Sequence, residues 1–253
     1  MLLLAGVAGL AAFAWPRFGP PPDASAATQA PFVFALVLPL VLAVVVAELT
    51  GDGLDVKGLA LLGVLSAIGA ILRPLGAGSA GMEPIFFLMV LGGRVFGPGF
   101  GFAQGAVTLL ASALLTGGVG AWLPYQMLAA GLLGLGAGLL PRRPRGRAEL
   151  ALLAGYGLAS AFGFGWLMDF AFWPFGLGPA TQLSFVPGAP PLENLHRFVL
   201  YNLVTSMGWN LGRGLTSVAL ILLAGPGLLR ILRRAARRAA WEPAGFSAVS
   251  GPD

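Results

Sequence analysis

Apolar residues run along this chain in long blocks rather than in the one-sided pattern of a domain that keeps a face in water. A helix that crosses about 30 Å of hydrocarbon needs about 20 mostly apolar residues. Eight stretches predict such helices: Leu2 to Trp15, Phe32 to Leu49, Gly58 to Leu75, Pro84 to Phe96, Phe100 to Leu115, Trp122 to Leu140, Leu150 to Phe172 and Arg197 to Leu223. Turn-forming residues separate them: Pro20, Pro21 and Pro22 after the first, Gly51 and Gly53 after the second, Gly97-Pro98-Gly99 between the fourth and fifth, Pro141 and Pro144 after the sixth. The fourth stretch is too short to cross upright, so it is expected to tilt or to be lengthened by Gly97 and its neighbours. The expected fold class is all-α, a polytopic membrane helix bundle of about eight transmembrane helices.

Charge orients the bundle. If the spans alternate from a cytoplasmic N-terminus, the inner loops and tail hold eleven cations: Lys57, Arg94, Arg142, Arg143, Arg145, Arg147, Arg230, Arg233, Arg234, Arg237 and Arg238. The outer loops hold three, Arg17, Arg73 and Arg197, and only Arg213 falls inside a span. That asymmetry is the one expected when basic loops stay in the cytoplasm, and it places both termini there in a multi-pass cell-membrane protein. Ala24-Ser25-Ala26-Ala27 is similar to a signal-peptide cleavage site, but Leu2 to Leu4 follow Met1 with no basic residue, so the first span is expected to be retained. The organisation expected is residues 1–56 as two leading spans, 57–229 as a six-helix core, and 230–253 as a basic tail. That tail, Arg230 to Arg238, reads as an anchor of topology or as a basic helix on anionic lipid.

Composition narrows the chemistry. The chain is 57% apolar and 10% charged, against about 25% charged in soluble domains, so the lipid bilayer is its solvent. With no cysteine, disulfides, iron–sulfur clusters and thiolate zinc sites are excluded, and a single histidine leaves no multi-histidine metal centre. The basic residues flank apolar segments instead of lining an aromatic-bearing soluble surface, so no nucleic-acid partner is expected, and neither metal nor cofactor is.

Polar side chains in such a chain are costly and become functional candidates. They gather toward the outer side. Arg73 and Glu83 bracket the loop after the third span, Trp122, Tyr125 and Gln126 open the sixth, and Trp166, Asp169 and Trp173 close the seventh. Glu193, Asn194, His196, Arg197, Tyr201 and Asn202 begin the eighth. Aromatic rings beside carboxylate, amide and guanidinium groups suit a pocket for an organic molecule with a flat face and hydrogen-bonding edges. An aromatic belt at the headgroup level explains the rings alone equally well. Asp169, in an apolar run, calls for a partner among Arg73, Arg197 and Asn202. His196 stands as a cap or loop residue at the helix entry. Arg213, about 24 Å along a continuous helix from Arg197, is expected near the inner interface in a structural role. The substrate-binding candidates are therefore Arg73, Glu83, Trp122, Gln126, Trp166, Asp169, His196 and Asn202.

Glycines and alanines recur at spacings that bring helices close: Gly63 to Ala67, Ser66 to Ala70, Gly101 to Gly105, and Gly131 through Gly134 to Ala137. Together with Glu83-Pro84-Ile85-Phe86-Phe87, the run Gly92-Gly93-Arg94-Val95-Phe96-Gly97-Pro98-Gly99-Phe100-Gly101-Phe102, Trp122-Leu123-Pro124-Tyr125-Gln126-Met127 and Gly131-Leu132-Leu133-Gly134, their order resembles the substrate-binding S component of energy-coupling factor importers. The two leading spans and Glu193 to Phe198, Glu-Asn-Leu-His-Arg-Phe, look like the actinobacterial form. The resemblance implies a six-helix core that captures a vitamin or related micronutrient outside and releases it inside, driven by a membrane coupling subunit and two cytoplasmic ATPase subunits. It implies docking of the coupling subunit on Gly63, Ser66, Ala67 and Ala70. It also implies a loop from Arg73 to Glu83 closing over the substrate, with Pro174 to His196 helping to form the pocket. Cobalamin, flavins, thiamine precursors and biotin all fit such a cavity, and cobalamin is the guess the resemblance prompts.

Other classes fit less well. Lys57, the only lysine, sits in no phosphate loop, so ATP must be hydrolysed by a partner. Asp52 and Asp55 are too few for a headgroup transferase, and no Gly-x-Ser-x-Gly elbow marks a serine hydrolase. A secondary transporter run by an ion gradient would want carboxylates at mid-membrane, whereas Glu48 and Asp169 lie near span ends.

Overall fold

The computed structural model describes residues 37–47, 56–76, 81–176, 181–186 and 188–239. They form helices α1 (Val37–Ala47), α2 (Val56–Leu72), α3 (Phe86–Phe96), α4 (Pro98–Thr116), α5 (Leu123–Leu139), α6 (Arg147–Gly176), α7 (Pro191–Thr205), α8 (Met207–Leu223) and α9 (Gly225–Ala239), with a 3-10 turn, Arg73–Gly76, extending α2. No strand occurs among the described residues. The first expected span lies outside them, and the second is described only as α1. The other six are present as α2 to α6 and α8, and the eighth stretch is cut in two at Ser206.

Three of these helices, α2 with its 3-10 turn, α4 and α6, are long and apolar enough to cross a membrane by themselves; α8 joins them if its pairing with α9, bent by 70°, is taken as one span. These counts are of the described residues alone, and among them α3 shows why an expected span need not be long. At 11 residues it is about 16 Å long. Every residue from Ile85 to Gly93 is buried, so α3 is clad in protein and need not match the bilayer. Gly97, at φ +100°, returns its N–H to the Gly93 carbonyl and ends the helix rather than lengthening it. Pro98 then starts α4, where its missing N–H has no intrahelical partner to lose.

The core is built around α3, α4 and α5. At Gly93, Gly101 and Gly134 these three helices approach so closely that a Cβ on any of them would run into a neighbour's backbone, and Gly105 meets Ala130 in the same way. Small residues are the means by which helices associate when lipid removes the hydrophobic drive between them. Phe86, Phe102, Met89, Leu109, Met127 and Leu128 fill the space around the contact.

At one end of the bundle Arg94 closes the structure. Its Nε donates to Glu149 Oε1 at 2.7 Å, and its Nη1 donates to the carbonyls of Leu140 at 3.2 Å and Pro141 at 2.9 Å. Arg94 thereby satisfies carbonyls that the end of α5 leaves without intrahelical donors. Arg233 of α9 donates to the same Glu149 oxygen at 2.6 Å. Leu229 and Leu232, on the same side of α9 as Arg233, are buried against the bundle. The segment read as a tail from Arg230 is therefore a helix that starts at Gly225 and is docked against the bundle. Arg94, the Arg142 to Arg147 loop and Arg233 share one end, as the alternation of spans requires.

Candidate functional site

The opposite end carries the polar residues. The 3-10 turn after α2 carries Arg73 over the first turn of α5, where its Nη2 donates to Gln126 Oε1 at 3.0 Å. The loop before α3 runs against the backbone of α8 at Trp209. Gly81 permits this, because its φ is +90° and a Cβ there would strike the Trp209 carbonyl. Glu83 is thus set within reach of Arg213, whose Nη2 donates to Glu83 Oε1 at 2.8 Å. Nη1 of Arg213 donates to Asn210 Oδ1 at 3.1 Å. The guanidinium also lies over Phe86 and Phe164, 5.2 and 5.0 Å from the ring centroids. A buried cation held by a carboxylate, an amide and two aromatic faces is the arrangement that makes such burial tolerable.

Between these elements lies a hollow of about 380 Å³, whose lining includes Arg73, Glu83, Ser112, Thr116, Trp122 and Trp209. It is partly open, with Trp122 and Trp209 each nearly half exposed. Two indole rings supply flat apolar faces. Arg73 and Glu83 supply a donor and an acceptor of opposite charge, and Ser112 and Thr116, four apart on α4, supply hydroxyls. The Ser112 Oγ is buried and has no hydrogen-bond partner among the described residues. Arg73 makes no ion pair among the described residues, although Glu83 is near enough for its charge to act on it.

Asp169 and Asn202 form a pair of their own outside the lining of the hollow. Asn202 Nδ2 donates to Asp169 Oδ2, which is the partner expected from the three candidates, and Arg213 is near enough for its charge to act on Asp169. Of the eight substrate-binding candidates, Arg73, Glu83 and Trp122 line the hollow, Gln126 braces Arg73, and Asp169 and Asn202 pair with each other outside the lining. Trp166 and His196 are not brought to the hollow. Trp166 packs edge-on against Phe198, with centroids 6.2 Å apart. His196 is exposed beside Glu193 and Val199. It is not at a helix entry, because Pro191 starts α7 five residues earlier. Tyr125 and Trp173 are buried rather than belt residues, and the Trp173 indole donates to the Leu183 carbonyl at 2.6 Å, tying the late loop to α6.

Arg213 is the main correction. A continuous helix from Arg197 would put it near the inner interface. The break at Ser206 makes Met207 the outer start of α8, so Arg213 is only about 9 Å along that helix and meets Glu83. Trp209, Ser112 and Thr116 were not expected in the site. The spacing of Ser112 and Thr116 within an apolar helix was the available signal, whereas Trp209 depends on the break.

The four residues assigned to docking divide. Gly63 and Ala67 are exposed on α2, and nothing lies within 4 Å of a Cβ built on Gly63. Ser66 and Ala70 are buried, on the side where Gly69 meets Thr108 of α4.

A polar, ring-bearing hollow thus lies at one end of an apolar, all-helical membrane bundle. The family model for the substrate-specific component of ECF transporters matches residues 57–223, well over half of the chain, and the chain belongs to that family. No curated protein and no solved structure matches it. Membership makes the chain a transporter subunit and implies a membrane coupling component and ATPase partners.

Proposed function

We propose that the chain captures a vitamin-type micronutrient in the hollow between α2, α4 and α8 and delivers it through a membrane coupling subunit powered by two cytoplasmic ATPases. The observation that carries this reading is the convergence of Arg73, Glu83, Trp122 and Trp209 on one hollow, with Gln126 and Arg213 fixing the two charged groups. Stacking on indole would hold a flat ring. The Arg73 guanidinium, held by Gln126 and in no ion pair among the described residues, favours a ligand with a carboxylate or phosphate, and Glu83 and the α4 hydroxyls would read hydrogen-bonding edges. The volume, about 380 Å³, lies at the low end of pockets for small organic ligands, about 300–1,000 Å³. That size favours a single heterocyclic vitamin over a corrin macrocycle such as cobalamin. Gly63 and Ala67 offer the exposed small-residue stripe for the coupling subunit.

Purification in mild detergent followed by mass spectrometry of bound small molecules tests the reading. The full chain is expected to retain a ring-bearing organic anion, and Arg73→Gln is expected to lose it while inserting normally. A wild-type protein that binds no such molecule, or an Arg73→Gln variant that retains it fully, would overturn the assignment.

A further inference from the structure

We propose that the basic end of the molecule holds one anionic phospholipid in a groove between α2 and α9. The groove encloses about 680 Å³, and it lies at the opposite end from the substrate hollow. Lys57 from the first turn of α2 and Arg234 and Arg238 from α9 ring it, while Leu61, Val64 and Ile231 contribute its apolar wall. All three cations are exposed, and none is in an ion pair among the described residues. The one described carboxylate at this end, Glu149, is already held by Arg94 and Arg233. Three cations in no ion pair among the described residues, set over apolar carbon, form an amphipathic site that a phosphate headgroup and its acyl chain complement together.

The chain that bears the headgroup also has a path. Val64, Ile68 and Ile71 are exposed at 56%, 43% and 64% and lie on one side of α2 at spacings of four and three residues. They lead from the groove toward the other end over about 10 Å, which is a track for an acyl tail. A soluble anion would use the cations but not the track, and a neutral lipid the track but not the cations. The bend of 70° between α8 and α9, fixed by Leu229, Leu232 and Arg233, holds Arg234 and Arg238 across from Lys57.

The test is native mass spectrometry of the full chain taken from nanodiscs of phosphatidylcholine containing phosphatidylglycerol. The wild type is expected to retain phosphatidylglycerol selectively, and Lys57→Gln/Arg234→Gln/Arg238→Gln to lose it. With about five-fold per cation near a charged surface, the loss in affinity should approach 100-fold. Arg237→Gln, on the same helix but off the groove, should change retention little. Release of the lipid from the wild type by high salt reads the same interaction should the triple variant not fold. Equal retention of phosphatidylcholine, undiminished retention by the triple variant, or equivalent stabilisation by inorganic phosphate alone would each overturn the proposal. Substrate retention should be untouched in the groove variants, so this result and that for the hollow are read separately.

Discussion

Arg213 is the residue on which the site turns. Its charge is buried, and it is compensated by Glu83, Asn210 and two ring faces, yet its Nε has no partner among the described residues. Removing one member of such a pair typically costs about 3–5 kcal/mol, because the other charge is left buried without compensation. Glu83→Gln is therefore expected to lower the melting temperature in detergent clearly. The double variant Glu83→Gln/Arg213→Met should recover part of that loss, since methionine fills the space without a charge, while ligand retention stays lost in both. A double variant no more stable than the single would show that the pair is not coupled. Polar residues stand out in a greasy chain, and for that reason Arg73, Glu83 and Trp122, which line the hollow, and Gln126, which bonds Arg73, could be singled out as candidates from their types alone. Arg213 was visible as a charge, but its depth was not, because depth depends on where a helix begins.

That beginning is an element-scale matter. The stretch from Arg197 to Leu223 has no proline at the break, and Gly208, two residues beyond it, is one glycine among many that sit inside these helices; Ser206, at φ −116° and ψ −12°, interrupts the helix without leaving the helical region. Breaks marked by special residues were legible, as at Gly97-Pro98, whereas a break imposed by tertiary packing left no local signature. Helix contacts were legible in the same measure: Gly101, Gly105, Gly131 and Gly134 mark the seam between α4 and α5, and the structure puts a backbone carbonyl where each added Cβ would go at Gly101, Gly105 and Gly134. Overpacking of this kind costs about 1–3 kcal/mol, and rigid backbone on both sides leaves little room to relax. Gly134→Ala should therefore lower thermal stability by that order, whereas Gly63→Ala, with open space around it, should leave it unchanged. Equal melting temperatures for the two variants, measured in the same detergent, would contradict the close approach.

At the scale of the molecule the two ends differ in kind. One end is a partly open hollow of mixed charge; the other is a basic rim clamped by Glu149, the only acidic residue between Glu83 and Asp169. The pattern of loop charges anticipated this division, because long-range sorting of cations follows from insertion and survives errors in individual span boundaries. The role of Glu149 was not legible: its partners Arg94 and Arg233 come from elements 55 and 84 residues away in sequence. The absence of cysteine makes the orientation directly measurable. Val119→Cys lies in the exposed α4–α5 loop beside the hollow, and Arg143→Cys in the exposed α5–α6 loop at the basic rim. If basic loops remain in the cytoplasm, an impermeant maleimide should label Val119→Cys on intact cells and label Arg143→Cys only after permeabilisation. The reverse pattern would open the hollow to the cytoplasm and turn the capturing subunit into something that gathers its ligand from inside. A capture mechanism requires the labelled loop, the hollow and the incoming nutrient to share one side of the membrane, with the proposed coupling stripe on α2 reachable from within the bilayer.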